Sequence, residues 1–268
     1  MIFDTHCHAY WKGLEHRWDE VQRNMISHGV LRSVQIGTDL EKSGKALALA
    51  HAHGTDTWCT AGLHPTGCQD LDSNLAPEFA GKLRTLIETN REKMVGVGET
   101  GLDYFHLTPG KEAQQKQTQK VFFCEQAKLA VELDLPLVIH TRNAASDTIS
   151  ILKQCGIKRA IIHCFSENPD FALELMDWSD EIYFSFSGIL TYKQALPIQE
   201  TARILPLDRI LVETDAPFLI PQALRETCAV NEPAFTRHVM DFLKTLRKES
   251  GDLVEQTVWK NSNSIFRI

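Results

Sequence analysis

The chain has 268 residues, 43% of them hydrophobic and 24% charged, with a formal net charge of −7. Such a length suits one α/β barrel of about 250 residues. The acidic balance, with no block of lysines or arginines, excludes a protein that coats long nucleic acid through its own surface charge, although bound cations would still let a local site handle a phosphodiester.

The first apolar segment, 1–8, ends in Thr5-His6-Cys7-His8. On an extended strand side chains alternate, so His6 and His8 share a face with alpha carbons roughly 6–7 Å apart, a spacing that lets two imidazoles converge on one cation. A second strand is expected at 33–38. Thr38-Asp39-Leu40-Glu41 then has capping-box form, and Gly54 would stop the helix that follows. The third strand, 58–64, ends in Gly62-Leu63-His64-Pro65, and the fourth, 95–101, carries Val95-Gly96-Val97-Gly98-Glu99. Glycines at 96 and 98 weaken a strand unless something must approach its backbone closely. Residues 111–134 form the longest expected helix, with Phe123, Ala127 and Ala130 on one face and Pro136 beyond its end. Strands at 135–141 and 159–165 end near His140 and His163. After a seventh strand at 182–188, the eighth, 209–216, contains Glu213-Thr214-Asp215. The connection 217–232 is long enough to form a substrate wall. Pro233 then suits the first turn of a helix carrying Phe235, Val239, Phe242, Leu243 and Leu246.

These strands are short, rich in Val, Ile and Leu, and mostly unalternated, as strands buried on both faces are. Eight strand–helix alternations favour parallel pairing through right-handed crossovers. The expected fold is α/β, a (β/α)8 TIM barrel forming a single domain over residues 1–268. A doubly wound open sheet would usually carry a glycine-rich phosphate loop after its first strand, where this chain has histidines. In a barrel the C-terminal ends of all strands meet at one rim, which is where active sites form.

The seven cysteines, at 7, 59, 68, 124, 155, 164 and 228, are odd in number and include no Cys-x-x-Cys pair. They read as reduced thiols that pack as small apolar residues. Met1-Ile2-Phe3 runs straight into Asp4, so no signal peptide is expected and a cytoplasmic location is. No apolar run approaches the ~20 residues of a bilayer span. Neither a membrane nor an obligate protein partner is expected.

Within the rim, Glu99 has two oxygens and can bridge two cations. His140 and His163, on neighbouring strands, form a natural pair for a second cation. Asp215 ends the strand beside the first once a barrel closes, so it reaches the cation of His6 and His8. Glu213 reads equally as a ligand or as a hydrogen-bond acceptor for a ligand histidine. Nitrogen and oxygen donors with open positions suit one or two divalent ions, Mg²⁺, Mn²⁺ or Zn²⁺. His64 is a candidate donor to a substrate oxygen, against packing over its turn. Arg142 is a candidate contact for an anionic group, against a surface ion pair. Histidines 16, 28, 51, 53, 106 and 238 read as surface residues, with His106 set apart by Asp103 and Tyr104 beside it.

Taken together, Asp4-Thr5-His6-Cys7-His8, Gly62-Leu63-His64-Pro65, Val97 to Tyr104, His140-Thr141-Arg142, His163-Cys164-Phe165-Ser166, Ser187-Gly188-Ile189, Glu213-Thr214-Asp215-Ala216-Pro217 and Asn231-Glu232-Pro233 resemble the TatD-type deoxyribonuclease family of the metal-dependent hydrolases. The resemblance spans nearly the whole chain and implies a (β/α)8 barrel that hydrolyses phosphodiesters, typically trimming DNA or RNA from the 3′ end. It also implies that His6, His8, Glu99, His140, His163 and Asp215 are the metal ligands. Two positions depart from the family pattern. Glu167 stands where glycine is usual, adding negative charge near a site for a polyanion, and Val230 stands where arginine usually precedes Asn-Glu-Pro.

The expected activity is a 3′-5′ exodeoxyribonuclease acting on DNA, with RNA possible, through metal-activated water. Asp215 orients or deprotonates that water, and Glu99, Asp215 and His64 carry the chemistry. The expected partner is a nucleic-acid substrate, single-stranded or with frayed ends. The alternative is an amidohydrolase-type enzyme cleaving an ester or C–N bond, including aminoacyl-tRNA. Many binuclear members of that group bridge their ions with a carboxylated lysine where this chain has Glu99.

Overall fold

In the computed structural model, which describes residues 1–52 and 56–268, eight strands alternate with helices along the chain. The strands are β1 (Ile2–Cys7), β2 (Val30–Gln35), β3 (Thr57–Ala61), β4 (Met94–Asp103), β5 (Leu137–Arg142), β6 (Ala160–Ile162), β7 (Ile182–Phe186) and β8 (Ile210–Val212). The helices are α1 (Trp18–Ser27), α2 (Leu40–Ala52), α3 (Pro65–Cys68), α4 (Ala76–Thr89), α5 (Glu112–Glu132), α6 (Ala145–Gln154), α7 (Pro169–Trp178), α8 (Leu196–Ile204), α9 (Thr236–Leu246) and α10 (Gly251–Phe266). All neighbouring strands are parallel and follow one another in chain order. The sheet closes where Asp215 N–H donates to His6 O at 2.9 Å and His8 N–H donates to Ala216 O at 2.7 Å. This is the expected (β/α)8 barrel. Among the described residues no helix is long and apolar enough to cross a membrane.

Two layers of side chains fill the barrel. Phe3, Val34, Trp58, Val95, Val138, Ile161 and Leu211 pack together toward the N-terminal end of the strands, where Ile265 and Phe266 of α10 close over them. Farther along β5, β6 and β8 the period-two alternation returns the inward face to residues of different chemistry: Val138 leads to His140, Ile161 to His163, and Leu211 to Glu213 and Asp215. One end of the barrel is therefore an apolar plug and the other a polar mouth. A second, larger apolar layer lies between the outer faces of the strands and the surrounding helices.

Several boundaries differ from expectation. The second strand begins three residues early, at Val30, because its pairing with β1 starts at Ile2↔Val30. The cap of α2 is Asp39 rather than Thr38, since Asp39 Oδ1 accepts the Lys42 N–H at 2.7 Å. Pro233 opens a separate 3-10 turn, Pro233–Phe235, just before α9. Gly54 and His53 lie outside the described residues. All seven cysteines are free thiols, yet Cys124 on α5 and Cys155 at the end of α6 bring their sulfurs to 3.2 Å. Sequence spacing could not announce that proximity, because it arises from helix packing.

Candidate metal centre

At the polar mouth, His6 Nε2 and His8 Nε2 stand 3.2 Å apart. Asp215 Oδ1 lies 3.6 Å from the first and 3.4 Å from the second. Glu99 reaches this group with one oxygen, Oε2, 3.5 Å from His6 Nε2 and 3.9 Å from His8 Nε2. Its other oxygen, Oε1, lies 2.9 Å from His163 Nε2, 3.3 Å from His140 Nδ1 and 3.3 Å from His64 Nε2. Donors bound at roughly 2.1 Å from one cation stand about 3–3.5 Å apart, and most of these separations fall in or near that range. Three groups of donor atoms, each within 4.8 Å of one another, result: His6, His8 and Asp215; His6, Glu99 and His163; and His64, Glu99 and His140.

Hydrogen bonds on the far side of each ring decide which histidines present a bare nitrogen. His8 Nδ1 lies 2.9 Å from the carbonyl of Ile36, which only accepts, so Nδ1 carries the proton and Nε2 faces the cluster as a lone pair. His163 Nδ1 faces Glu213 Oε1 at 3.2 Å, and His140 Nε2 faces Asp103 Oδ2 at 3.1 Å. In both the ring N–H donates to the carboxylate, which leaves the other nitrogen for a cation, the usual arrangement behind ligand histidines. His64 is reversed. Its Nδ1 accepts the backbone N–H of Thr66 at 3.2 Å and contacts the Thr66 hydroxyl at 2.7 Å. Nε2 must then carry the proton, which makes His64 a hydrogen-bond donor into the mouth and a poor cation ligand.

Local backbone features aim these groups. Gly98 has φ +139, and a Cβ there would fall 2.5 Å from Val138 O; a Cβ on Gly62 would fall 2.4 Å from the Gly98 carbonyl carbon. Only glycine permits both approaches. They accompany a break in the β4–β5 register between Val97 and Thr100, where Glu99 N–H donates to Gly37 O at 2.8 Å and its side chain turns inward. Asp215 sits at φ +57, in the left-handed region. Asp4 holds its neighbour in place: its carboxylate accepts the Thr214 amide at 2.9 Å and the Thr214 hydroxyl at 2.6 Å. Asn231 Nδ2 donates to Thr214 O at 2.9 Å and to Phe218 O at 2.5 Å, which ties down the next turn.

Burial disfavours charge on Glu99, but His163, His64 and His140 outweigh it and hold its carboxyl well below the usual range. Asp215 is likewise lowered against its burial by His8 and His6. Burial opposes protonation of His163, His140 and His8, yet facing carboxylates raise all three: Glu99 and Glu213, Asp103 and Glu99, and Asp215 and Glu99 respectively. Burial lowers His6 and His64. Burial also pushes Asp4 up to about 8, against its bonds from Thr214. Ionised carboxylates thus face imidazoles whose bare nitrogens need a positive partner. The donor set fits a divalent cation, which would take the place of those protons.

The cluster floors a cavity of about 830 Å³. His64, Arg142 and Phe218 line its walls, so the 217–232 connection does contribute a wall through Phe218 and Leu219. Arg142 is exposed and lies over the Phe105 ring, 4.0 Å from its centroid, with no ion pair among the described residues. Glu167 does not line the cavity. Burial raises its pKa, while the Asn143 and Ala144 amides at the start of α6 and the charge of His140 lower it, so the carboxylate meets a helix N-terminus and is also felt at the His140 ring. Val230 packs its methyls 3.5–3.6 Å from the Cβ position of Gly13 and against the core. His16, His28 and His51 are exposed as expected, and His238 is partly buried. His106 is exposed but bonds Asp103 Oδ2 at 2.8 Å, joining it to the His140 support. Sequence reading assigned no role to Asp4, Asp103 or Thr66. The alternation Asp4, His6, His8 was the one available signal for Asp4.

A family model described as TatD related DNase matches residues 3–267. An uncharacterized metal-dependent hydrolase, YabD, from Bacillus subtilis is 31% identical over the whole of both chains. A protein of Erwinia tasmaniensis named 3′-5′ ssDNA/RNA exonuclease TatD is 33% identical over 93% of each chain. Among solved structures, the TatD homolog YJJV of Escherichia coli superposes with a TM-score of 0.88 at 27% identity, covering all of this chain and 98% of its own.

Proposed function

The chain belongs to the TatD-related DNase family of metal-dependent hydrolases, and from that premise we propose that it hydrolyses the phosphodiester bonds of single-stranded DNA or RNA from the 3′ end. The observation that carries this reading is the division of Glu99 between its two oxygens, one toward His6, His8 and Asp215 and the other toward His140 and His163. His6, His8, Glu99, His140, His163 and Asp215 would hold one or two divalent cations, Mg²⁺, Mn²⁺ or Zn²⁺. Bound there, the ions would supply Lewis-acid charge to a phosphoryl oxygen and lower the pKa of the attacking water.

The remaining work falls to side chains. Asp215 lies at the edge of the cluster and is partly open to the cavity, so its carboxylate is the group that orients the water and accepts its proton. His64 Nε2–H donates to an oxygen of the phosphate. Arg142 supplies a second set of donors with a fixed charge. The name of the Erwinia relative supports the polymer substrate and its polarity.

Digestion of end-labelled single-stranded DNA and RNA with Mg²⁺, Mn²⁺ or Zn²⁺ tests the proposal. Stepwise shortening from the 3′ end, lost after EDTA and dialysis and restored by metal, is the expected result. Turnover undiminished by metal removal would refute the metal-dependent reading. Hydrolysis of aminoacyl-tRNA or a phosphotriester with intact oligonucleotides would reassign the substrate.

The Thr66 hydroxyl, 2.7 Å from His64 Nδ1, supports the ring beside the Thr66 amide, so Thr66→Val, which removes the hydroxyl and keeps the amide, should lower kcat by less than about tenfold, the lower end of the effect of removing a partner behind an active-site histidine. Metal content should not change, because the altered ring is not a ligand. Steady-state kinetics beside elemental analysis checks both statements.

A further inference from the structure

Among the described residues, twelve large hydrophobic side chains are exposed, and two of them are aromatic, Phe105 at 57% and Phe218 at 45%. Scattered exposed aliphatics need no explanation. Phe218 lines the cavity, and Phe105 packs against two residues that line it, Arg142 and His106. Phe218 follows β8 and packs edge-on to Trp11, which follows β1, with ring centroids 5.8 Å apart; it also lies 6.2 Å from the His8 ring. Phe105 follows β4, under the guanidinium of Arg142 at the end of β5. In a closed barrel of eight strands ordered β1 to β8, β8 and β1 lie opposite β4 and β5. The two aromatic groups therefore lie on opposite sides of the candidate metal centre.

Each group is held by the same contacts that hold the cluster. The Phe218 carbonyl accepts from Asn231, and its N–H donates to Asp215 O at 2.9 Å. The Phe105 N–H donates to Asp103 Oδ1 at 3.0 Å, on the carboxylate that orients His140. Each also carries a cation on an aromatic face. Lys42 Nζ lies 4.7 Å from the Trp11 ring centroid, its charge shared with Asp39 at 2.7 Å, while Arg142 covers one side of Phe105.

We propose that Phe218 with Trp11 on one side, and Phe105 with Arg142 on the other, are stacking platforms for the bases that flank the cleaved bond, so that the substrate is a flexible single strand with unpaired bases on both sides of the reacting phosphate. Stacking on aromatic faces binds bases without choosing among them, because every base has a π-face. A paired duplex has no free base faces to offer. The proposal rests on the phosphodiesterase reading above, single-stranded substrate included, and adds the mode by which the bases are held.

The test is a set of cycles between ring and base. Single-stranded oligonucleotides are made with one abasic residue on the 5′ or the 3′ side of the cleaved bond, and assayed with wild type, Phe218→Leu and Phe105→Leu. Leucine keeps apolar volume but removes the stacking face. The expected result is a loss of about tenfold in kcat/KM when wild type meets the abasic position. A similar loss is expected for each variant on the natural strand, with little further loss when the variant meets the abasic position on its own side. Losses that simply multiply, or a wild type that cleaves natural and abasic strands equally, would overturn the platforms while leaving the nuclease reading standing. A wild type inactive on every oligonucleotide but active on another ester would remove that reading and the platforms with it.

Discussion

Replacing Glu99 with alanine is expected to lower kcat/KM on the order of a thousandfold and to reduce bound metal at the same time. The size follows from the use of both carboxylate oxygens. Oε2 lies 3.5 Å from His6 Nε2, and Oε1 lies 2.9 Å from His163 Nε2, so on the proposed reading one substitution would take a ligand from both halves of the cluster. Loss of a single well-aimed charge-stabilising group costs about a hundred- to a thousandfold, and Glu99 serves two. The barrel should survive. Gly98 and Gly62 govern the close backbone approach at this point, and the apolar plug beneath is untouched. Glu99→Gln is the sharper comparison. Its amide keeps the volume but puts an N–H₂ donor where one half of the cluster needs an acceptor. Kinetics, elemental analysis and circular dichroism together separate loss of metal from loss of fold.

Asp215→Asn should lower kcat at least a hundredfold with a smaller change in metal content. Asp215 sits at φ +57, a conformation that asparagine tolerates as well as aspartate does, so the backbone has no reason to move. The Asp215 amide keeps its bond to His6 O, and Asp4 still fixes Thr214. What changes is the side chain, which loses its charge and its capacity to take a proton. If Asp215 orients and deprotonates water, kcat falls more than metal occupancy does. If it were only a ligand, the two would fall together. Rates measured at saturating metal, beside metal content, distinguish these outcomes.

The residues that meet at the mouth were legible because each ends a strand, and strand ends in a parallel barrel have one destination. His6 and His8 share a face by alternation, and Asp215 joins them because β8 closes on β1. Glu99 turns inward at the break that the glycines of β4 allow. What the sequence withheld is the layer behind these groups. Asp103 supports His140 across 37 positions, Glu213 supports His163 across 50, and Asp4 holds Thr214 across 210. No local pattern encodes such contacts. Glu213 was readable only as one of two possibilities, and its bond to His163 Nδ1 favours support over ligation. The donor character of His64 depends on the backbone amide of Thr66, invisible in a string of side chains. Strand limits shifted for a similar reason: β2 begins at Val30 because pairing with β1 sets its start, not its own composition.

The account stands or falls on where cations sit. Crystals grown with Mn²⁺ and measured by anomalous scattering should show density beside the Glu99 carboxylate, within coordination distance of His6, His8 and Asp215 and, for a second ion, of His140 and His163. Absence of any peak there at saturating Mn²⁺, or a peak bound elsewhere while the enzyme turns over, would contradict it.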